Sequence, residues 1–162
     1  MRARLFVLAV VTGASIIATP SNARSQVKTD TGRVEAEVRK AFDTWTAALT
    51  QGDKRTYLDG FWDSPRLVIR VASGEWRGFD AYRKRIEAAQ LPPGNPAAYR
   101  NVEVVALGTD GAVVTYERPA PAQTATVGAS GAPSIVFRGT AVFIRAAGGW
   151  KVAAWHADSV TK

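Results

Sequence analysis

His156 is the single histidine in a chain of 162 residues, and Asp158 stands two positions beyond it. Residues two apart on an extended strand point to the same face, so this imidazole and this carboxylate can meet. A carboxylate beside an imidazole fixes its tautomer and supports its cation, the arrangement of a general base. The plainer use of the same pair is a pocket wall in which His156 has its hydrogen bond satisfied. Arg118 and Arg138 are the next groups with strong chemistry. A guanidinium turned inward needs a carboxylate, supplied by the chain or by a ligand held in two-pronged fashion. Turned outward at a strand end, as Pro119 directly after Arg118 allows, it reaches water instead. Tyr116 and Thr140 lie on the same stretches and can donate hydrogen bonds. Composition removes other chemistries: with no cysteine and one histidine, a zinc site on thiolate or imidazole ligands is not expected. No metal and no cofactor are expected.

Periodicity gives the elements that must hold these groups. Val34, Val38, Phe42, Trp45 and Leu49 recur at helical spacing and form one face of an amphipathic helix. Residues 24–30 read as a flexible polar start, with Asp30 and Thr31 as N-cap candidates and Gly52 as the stop. Asp53 caps a short second helix carrying Tyr57 and Leu58, which Gly60 ends. Leu67 to Val71 reads as a strand, Gly74 to Gly78 as a turn with a short extended piece, and Phe79 to Ala89 as a third helix. The proline-rich run from Leu91 to Pro96 breaks it. Strands follow at Tyr99 to Leu107, Ala112 to Arg118, Ser134 to Arg145 and Trp150 to Ala157, with a tight hairpin at Gly108 to Gly111. Pro119 to Pro133 reads as a long irregular loop. Helices first and a meander of long strands after predict an α+β domain with helices packed on one face of a mostly antiparallel sheet.

Strict alternation then sorts the candidate residues. Trp150, Val152, Ala154, His156 and Asp158 share one face of the last strand. Arg138, Thr140, Val142 and Ile144 share one face of the strand before it, and Ala112, Val114, Tyr116 and Arg118 one face of the hairpin strand. With these sets turned toward the helices, Tyr116, Arg118, Arg138, Thr140, His156 and Asp158 line a common pocket. Trp45, Tyr57, Trp62 and Tyr82 roof it.

The start of the chain reads as an address. Met1-Arg2-Ala3-Arg4 is basic, Leu5 to Ala18 is uncharged, and Ser21 and Ala23 are small residues at the −3 and −1 positions of a cleavage site, the order of a secretory signal. The apolar run is shorter than the roughly 20 residues that span a bilayer, and nothing later is apolar for long enough, so no transmembrane span is expected after cleavage. Residues 1–23 are therefore expected to be a signal peptide, and the chain to be secreted or periplasmic, where a bacterial domain without disulfides is common. What remains is one domain's length, enough to bury a core without covalent staples. The full chain carries a net charge of +7, scattered rather than clustered. With no nucleic-acid module, no nucleic-acid partner is expected.

Four stretches together resemble the nuclear transport factor 2-like superfamily, in particular its SnoaL-like branch. They are Ala41-Phe42-x-x-Trp45 leading to Gly52-Asp53; Trp76-Arg77-Gly78-Phe79-Asp80-Ala81; Gly111-Ala112-Val113-Val114; and Gly139-Thr140-Ala141-Val142-Phe143, followed by Gly149-Trp150-Lys151-Val152 and His156. The resemblance runs from about Thr31 to Asp158, and residues 31–162 are expected to form a single domain of this type. It implies a cone, a strongly curved sheet wrapped around the first helix with an internal pocket, and a homodimer through the outer sheet face. His156 matches the second histidine of the family's closing "W-K-I-V-H-x-H-x-S" pattern, whereas Ala154 replaces the first and Asp158 the serine. Arg118 aligns by pattern with the pocket arginine of the kinase II association domain, a non-catalytic relative. The acid-plus-tyrosine pattern of ketosteroid isomerase has no match. The leading expectation is an exported, non-catalytic pocket domain for a small, partly apolar ligand, with an anionic group as one option. It would be held by Tyr57, Trp62, Tyr116, Arg118, Arg138, Thr140 and His156. The alternatives are a small isomerase, cyclase or hydrolase using His156 with Asp158, and a dimeric protein-interaction module.

Overall fold

A computed structural model describes residues 21–91, 99–119 and 135–161, with side chains from residue 30 onward except Ile135 and Thr161. The loop expected between Pro119 and Pro133 lies, past Pro119, outside the described residues, as does the expected signal segment up to residue 20.

Helix α1 (Ser21–Gln51) carries Val34, Val38, Phe42 and Trp45 at four-, four- and three-residue steps, each at most 2% exposed. Burying side chains of this size contributes roughly 1.5–3 kcal/mol apiece, which is what fixes the helix against the sheet. Its backbone helix begins nine residues before the expected cap at Asp30. The stretch 21–29 contains neither proline nor glycine, so nothing in it halts the helix; Pro20 stands just ahead, where proline is tolerated. Gly52, at φ +73°, ends α1. The Asp53 amide reaches back to the Ala48 carbonyl at 2.9 Å, closing the turn as a C-terminal cap. Asp53 then caps α2 (Lys54–Asp59), its Oδ1 accepting from the Thr56 amide at 3.0 Å. The Thr56 hydroxyl first, and this amide bond second, hold the Asp53 carboxyl below the usual aspartate range.

Strands β1 (Val68–Val71) and β2 (Gly74–Arg77) form a hairpin that leads into α3 (Phe79–Ala88). Four longer strands follow: β3 (Arg100–Ala106), β4 (Gly111–Pro119), β5 (Ile135–Ala146) and β6 (Gly149–Thr161). The sheet order is β2-β1-β6-β5-β4-β3, antiparallel throughout except where β1 runs parallel to β6. The architecture is α+β: N-terminal helices in the concavity of a six-stranded, mostly antiparallel curved sheet. No described helix is long and apolar enough to cross a membrane.

One irregularity decides which side chains face the helices. Val142 pairs with Ala154, but the next residue, Phe143, pairs with Val152, leaving Ala153 as an extra residue in β6. Such a bulge shifts the pleat by one residue and exchanges the two faces beyond it. Val152 is therefore buried before the bulge, and Trp155 and Ala157 turn inward after it. In β5 the inward set is Gly139, Ala141 and Phe143, opposite Tyr116, Val114 and Ala112 of β4. The expected pocket face is corrected accordingly. Arg138, Thr140, Val142 and Ile144 of β5, and Ala154, His156 and Asp158 of β6, lie on the outer face, because a bulge and a reversed β5 phase override strict alternation.

Candidate functional site

Two loci result, one on each side of the sheet. The inner one is built of rings. Trp45 stacks on Tyr57 with centroids 5.8 Å apart and meets Trp155 edge-on at 5.3 Å. Phe42 packs against Tyr99 and Tyr116 at 5.6 and 5.3 Å, and Phe61 against Tyr57 and Tyr82. Tyr116 lies on Gly139, its register partner, so closely that a Cβ there would fall inside the phenol ring. The sequence therefore places glycine where an aromatic must rest against backbone.

The polar atoms of this interior are few and mostly paired. The Tyr57 and Tyr82 hydroxyls share a hydrogen bond of 2.8 Å, and Trp155 Nε1 donates to Tyr116 Oη at 2.8 Å. Trp45 Nε1 is buried with no hydrogen-bond partner among the described residues. Burial pushes the Tyr57 phenol well above its ordinary pKa, Tyr82 up to about 12, and Tyr116 and Tyr99 upward too. All four are neutral donors at physiological pH, not bases. Arg118, half-buried at the Pro119 end of β4, stands over the Phe137 ring at 5.2 Å. Its charge and hydrogen bond partly offset the rise at Tyr99. No carboxylate among the described residues pairs with Arg118, and no aspartate or glutamate among them is buried.

Of the expected ligand-binding residues, the structure brings Tyr57, Tyr116 and Arg118 to the inner side. Trp62 is only half-buried: Phe61 takes the inward position, and the Trp62 backbone amide donates to the Val152 carbonyl at 2.9 Å. Arg138, Thr140 and His156 belong to the outer locus. His156 Nε2 does meet Asp158 Oδ2, at 3.1 Å, with both side chains at least half exposed. Arg138 Nε bonds Glu117 Oε1 at 3.0 Å, and Asn101 Nδ2 bonds the other oxygen at 3.2 Å. A hollow of about 230 Å³ opens here between Val68, Val142 and Ala154, with Arg70, Thr140 and His156 at its rim. The described residues hold no metal-ligand cluster.

Sequence reasoning missed Tyr99, Trp155 and Phe137 as inner residues. A signal for Trp155 existed: Val152 and Trp155 are both large and apolar yet three apart, a spacing that strict alternation cannot place on one face, and the residues between them are two alanines. That is the pattern of a bulge.

Comparison with known proteins agrees with this architecture. The SnoaL-like domain model matches residues 38–161. A cystatin-like fold protein from Burkholderia xenovorans is similar at 24% identity and a TM-score of 0.65, covering 80% of this chain and 94% of that one. An NTF2-like protein of unknown function from Pseudomonas putida matches at 20% identity and 0.61, over 78% and 87%. A ketosteroid isomerase-like protein from Erwinia carotovora matches at 15% and 0.60, over 79% and 97%. At these identities the likeness is one of fold. No curated protein matches the sequence significantly.

Proposed function

The chain belongs to the SnoaL-like domain family, and from that premise we propose that it is an exported binding domain for a small, largely apolar molecule carrying an anionic group. The observation that carries this reading is the makeup of the inner face. Rings and neutral phenols supply apolar contact and hydrogen-bond donors, and one half-buried guanidinium, Arg118, has no carboxylate partner among the described residues. A guanidinium in such a place favours a carboxylate or similar anion. Catalysis by His156 with Asp158 is less supported, because that pair lies on the far side of the sheet from the aromatic interior. Export rests on the charge and hydropathy order of residues 1–23; mass analysis of the protein recovered from the periplasm tests it, with loss of those 23 residues expected.

The outer face supports self-association. Val68, Ala154, Val142, Val113 and Val105 run in register across five strands, and Val105 is 55% exposed. An apolar stripe of this length on a sheet marks an interaction surface. In the second row from it, Asp158, Arg138, Glu117 and Arg100 alternate in charge, so a second copy in the opposite sense is a charge-complementary occupant.

Binding is tested by thermal unfolding with decanoate and with decanol as probes. Decanoate at a hundred times its dissociation constant should stabilise by about 2.7 kcal/mol, decanol by less, and Arg118→Ala should abolish the difference. Equal shifts from the two probes in the wild-type chain would overturn the anionic part of the reading.

A further inference from the structure

Among the described strands β3 is terminal, with β4 on one side and no strand on the other. The Leu107 amide donates to the Gly111 carbonyl at 2.8 Å. Leu107, Val105 and Glu103 therefore turn their peptide groups toward β4, and the alternate residues Val104 and Ala106 turn theirs outward. An outward row of this kind is a template for another strand. The two large apolar side chains that stand exposed among the described residues, Val105 and Leu107, belong to the same stretch.

Helix α1 reaches over this edge at two points. Glu35 Oε1 accepts from the Ala106 amide at 3.4 Å, and Arg39 Nη1 donates to the Val102 carbonyl at 3.5 Å. Glu35 and Arg39 stand about one helical turn apart and meet residues four apart on β3, in the opposite sense. Asp43, a turn further along α1, holds Arg39 Nε at 3.1 Å and so aims the guanidinium. An acceptor thus meets the amide and a donor meets the carbonyl. No described side chain hydrogen-bonds the Val104 peptide groups between them.

We propose that Glu35 and Arg39 guard this edge: they occupy the two peptide groups that the β3 strand of a second copy would need, and so keep copies from joining edge to edge. The phase of β3 itself dictates which groups those are. A two-fold antiparallel pairing through the outward residues centres on Val104, and the Ala106 amide of one copy then meets the Val102 carbonyl of the other. The Glu35 carboxylate stands in for that carbonyl, and the Arg39 guanidinium for that amide. Contacts of 3.4 and 3.5 Å are weak hydrogen bonds, but the side chains also fill space that an added strand, about 4.8 Å from β3, would have to take. Charges beside an open edge are a common protection against such pairing. The register shift between Arg100 and Glu103, with Asn101 at φ +50°, interrupts the edge at its other end. The guard is independent of the association proposed through the outer face.

Amide hydrogen exchange of the wild-type chain tests the two contacts directly. The Ala106 amide should exchange about tenfold more slowly than the Val104 amide, although both point to the open edge; equal rates overturn the guard. Sedimentation velocity of the Glu35→Ala/Arg39→Ala variant beside the wild type, at equal concentration, tests the consequence. The variant should associate one step further than the wild type, with the dissociation constant of that step lowered about tenfold, and circular dichroism should show the fold unchanged. Adding Val104→Pro, which removes an outward N–H and leaves the ladder to β4 intact, should reverse the gain. A folded double variant that stays at the wild-type size overturns the guard and leaves Glu35 and Arg39 as fasteners of α1. Association that survives Val104→Pro overturns the edge as its route. Where the double variant does not fold, Arg39→Ala alone carries the same comparison, since that side chain is half exposed.

Discussion

On the inner side of β4, β5 and β6, Tyr116, Phe143 and Trp155 pack against α1; on the outer side of the same strands, Thr115, Thr140 and His156 are exposed in the single chain. The inner side chains are large and interlocked, and each phenol or indole has one place to go. The outer ones are small, branched or charged, and their partners are exposed ion pairs. Close packing makes the first set intolerant of change, whereas surface pairs contribute little. The two sides also divide the labour that alternation alone would have put in one place. Apolar packing belongs to the inner side, and charge pairing belongs to the outer.

Substitutions can break that contrast. Phe42→Ala should have the largest effect, about 3–5 kcal/mol of lost stability in urea unfolding, since it empties the centre of the ring cluster. The phenols give a smaller, pH-dependent version. Tyr82 has its pKa raised by burial from 10.0 to about 12 in the folded chain. The unfolded chain therefore releases this proton first, and stability present below pH 10 should fall as the pH climbs toward about 12. Phenolate absorbance followed alongside circular dichroism should show the buried tyrosines ionising together with unfolding. A buried phenol that titrates near 10 with the fold intact would mean the interior is wet. On the outer side, Thr140→Ala should leave the unfolding midpoint within about 0.5 kcal/mol of the wild type. A large loss there would mean that the outer face carries structure too, and the contrast would blur.

Much of the scaffold was legible from local rules. The α1 face, the Gly52 stop, the Asp53 cap, α3 and the hairpin at Gly108 to Gly111 each follow from a spacing or from a residue with one conformational use. The extent of the last strand was less so: it runs to Thr161, four residues past Ala157, because Asp158 and Ser159 are polar yet pair with Arg138 and Phe137 on β5. The site was only half legible. Tyr57, Tyr116 and Arg118 were placed correctly because their stretches obey regular periods. Arg138, Thr140 and His156 were misplaced because their faces depend on one extra residue, Ala153, and on how β5 is phased against β4. Both are properties of pairing between strands, and a single strand read alone does not contain them.

Although β6 is the last described strand in chain order, it lies in the interior of the sheet, parallel to β1 on one side and antiparallel to β5 on the other. Val68 must wait for Ala154 before its strand gains that neighbour, so the sheet cannot close while the chain is still emerging. Long waits of this kind slow folding. The strand order itself keeps the sheet open until β6 has been made, so every pairing that closes the cone around α1 waits on that one strand.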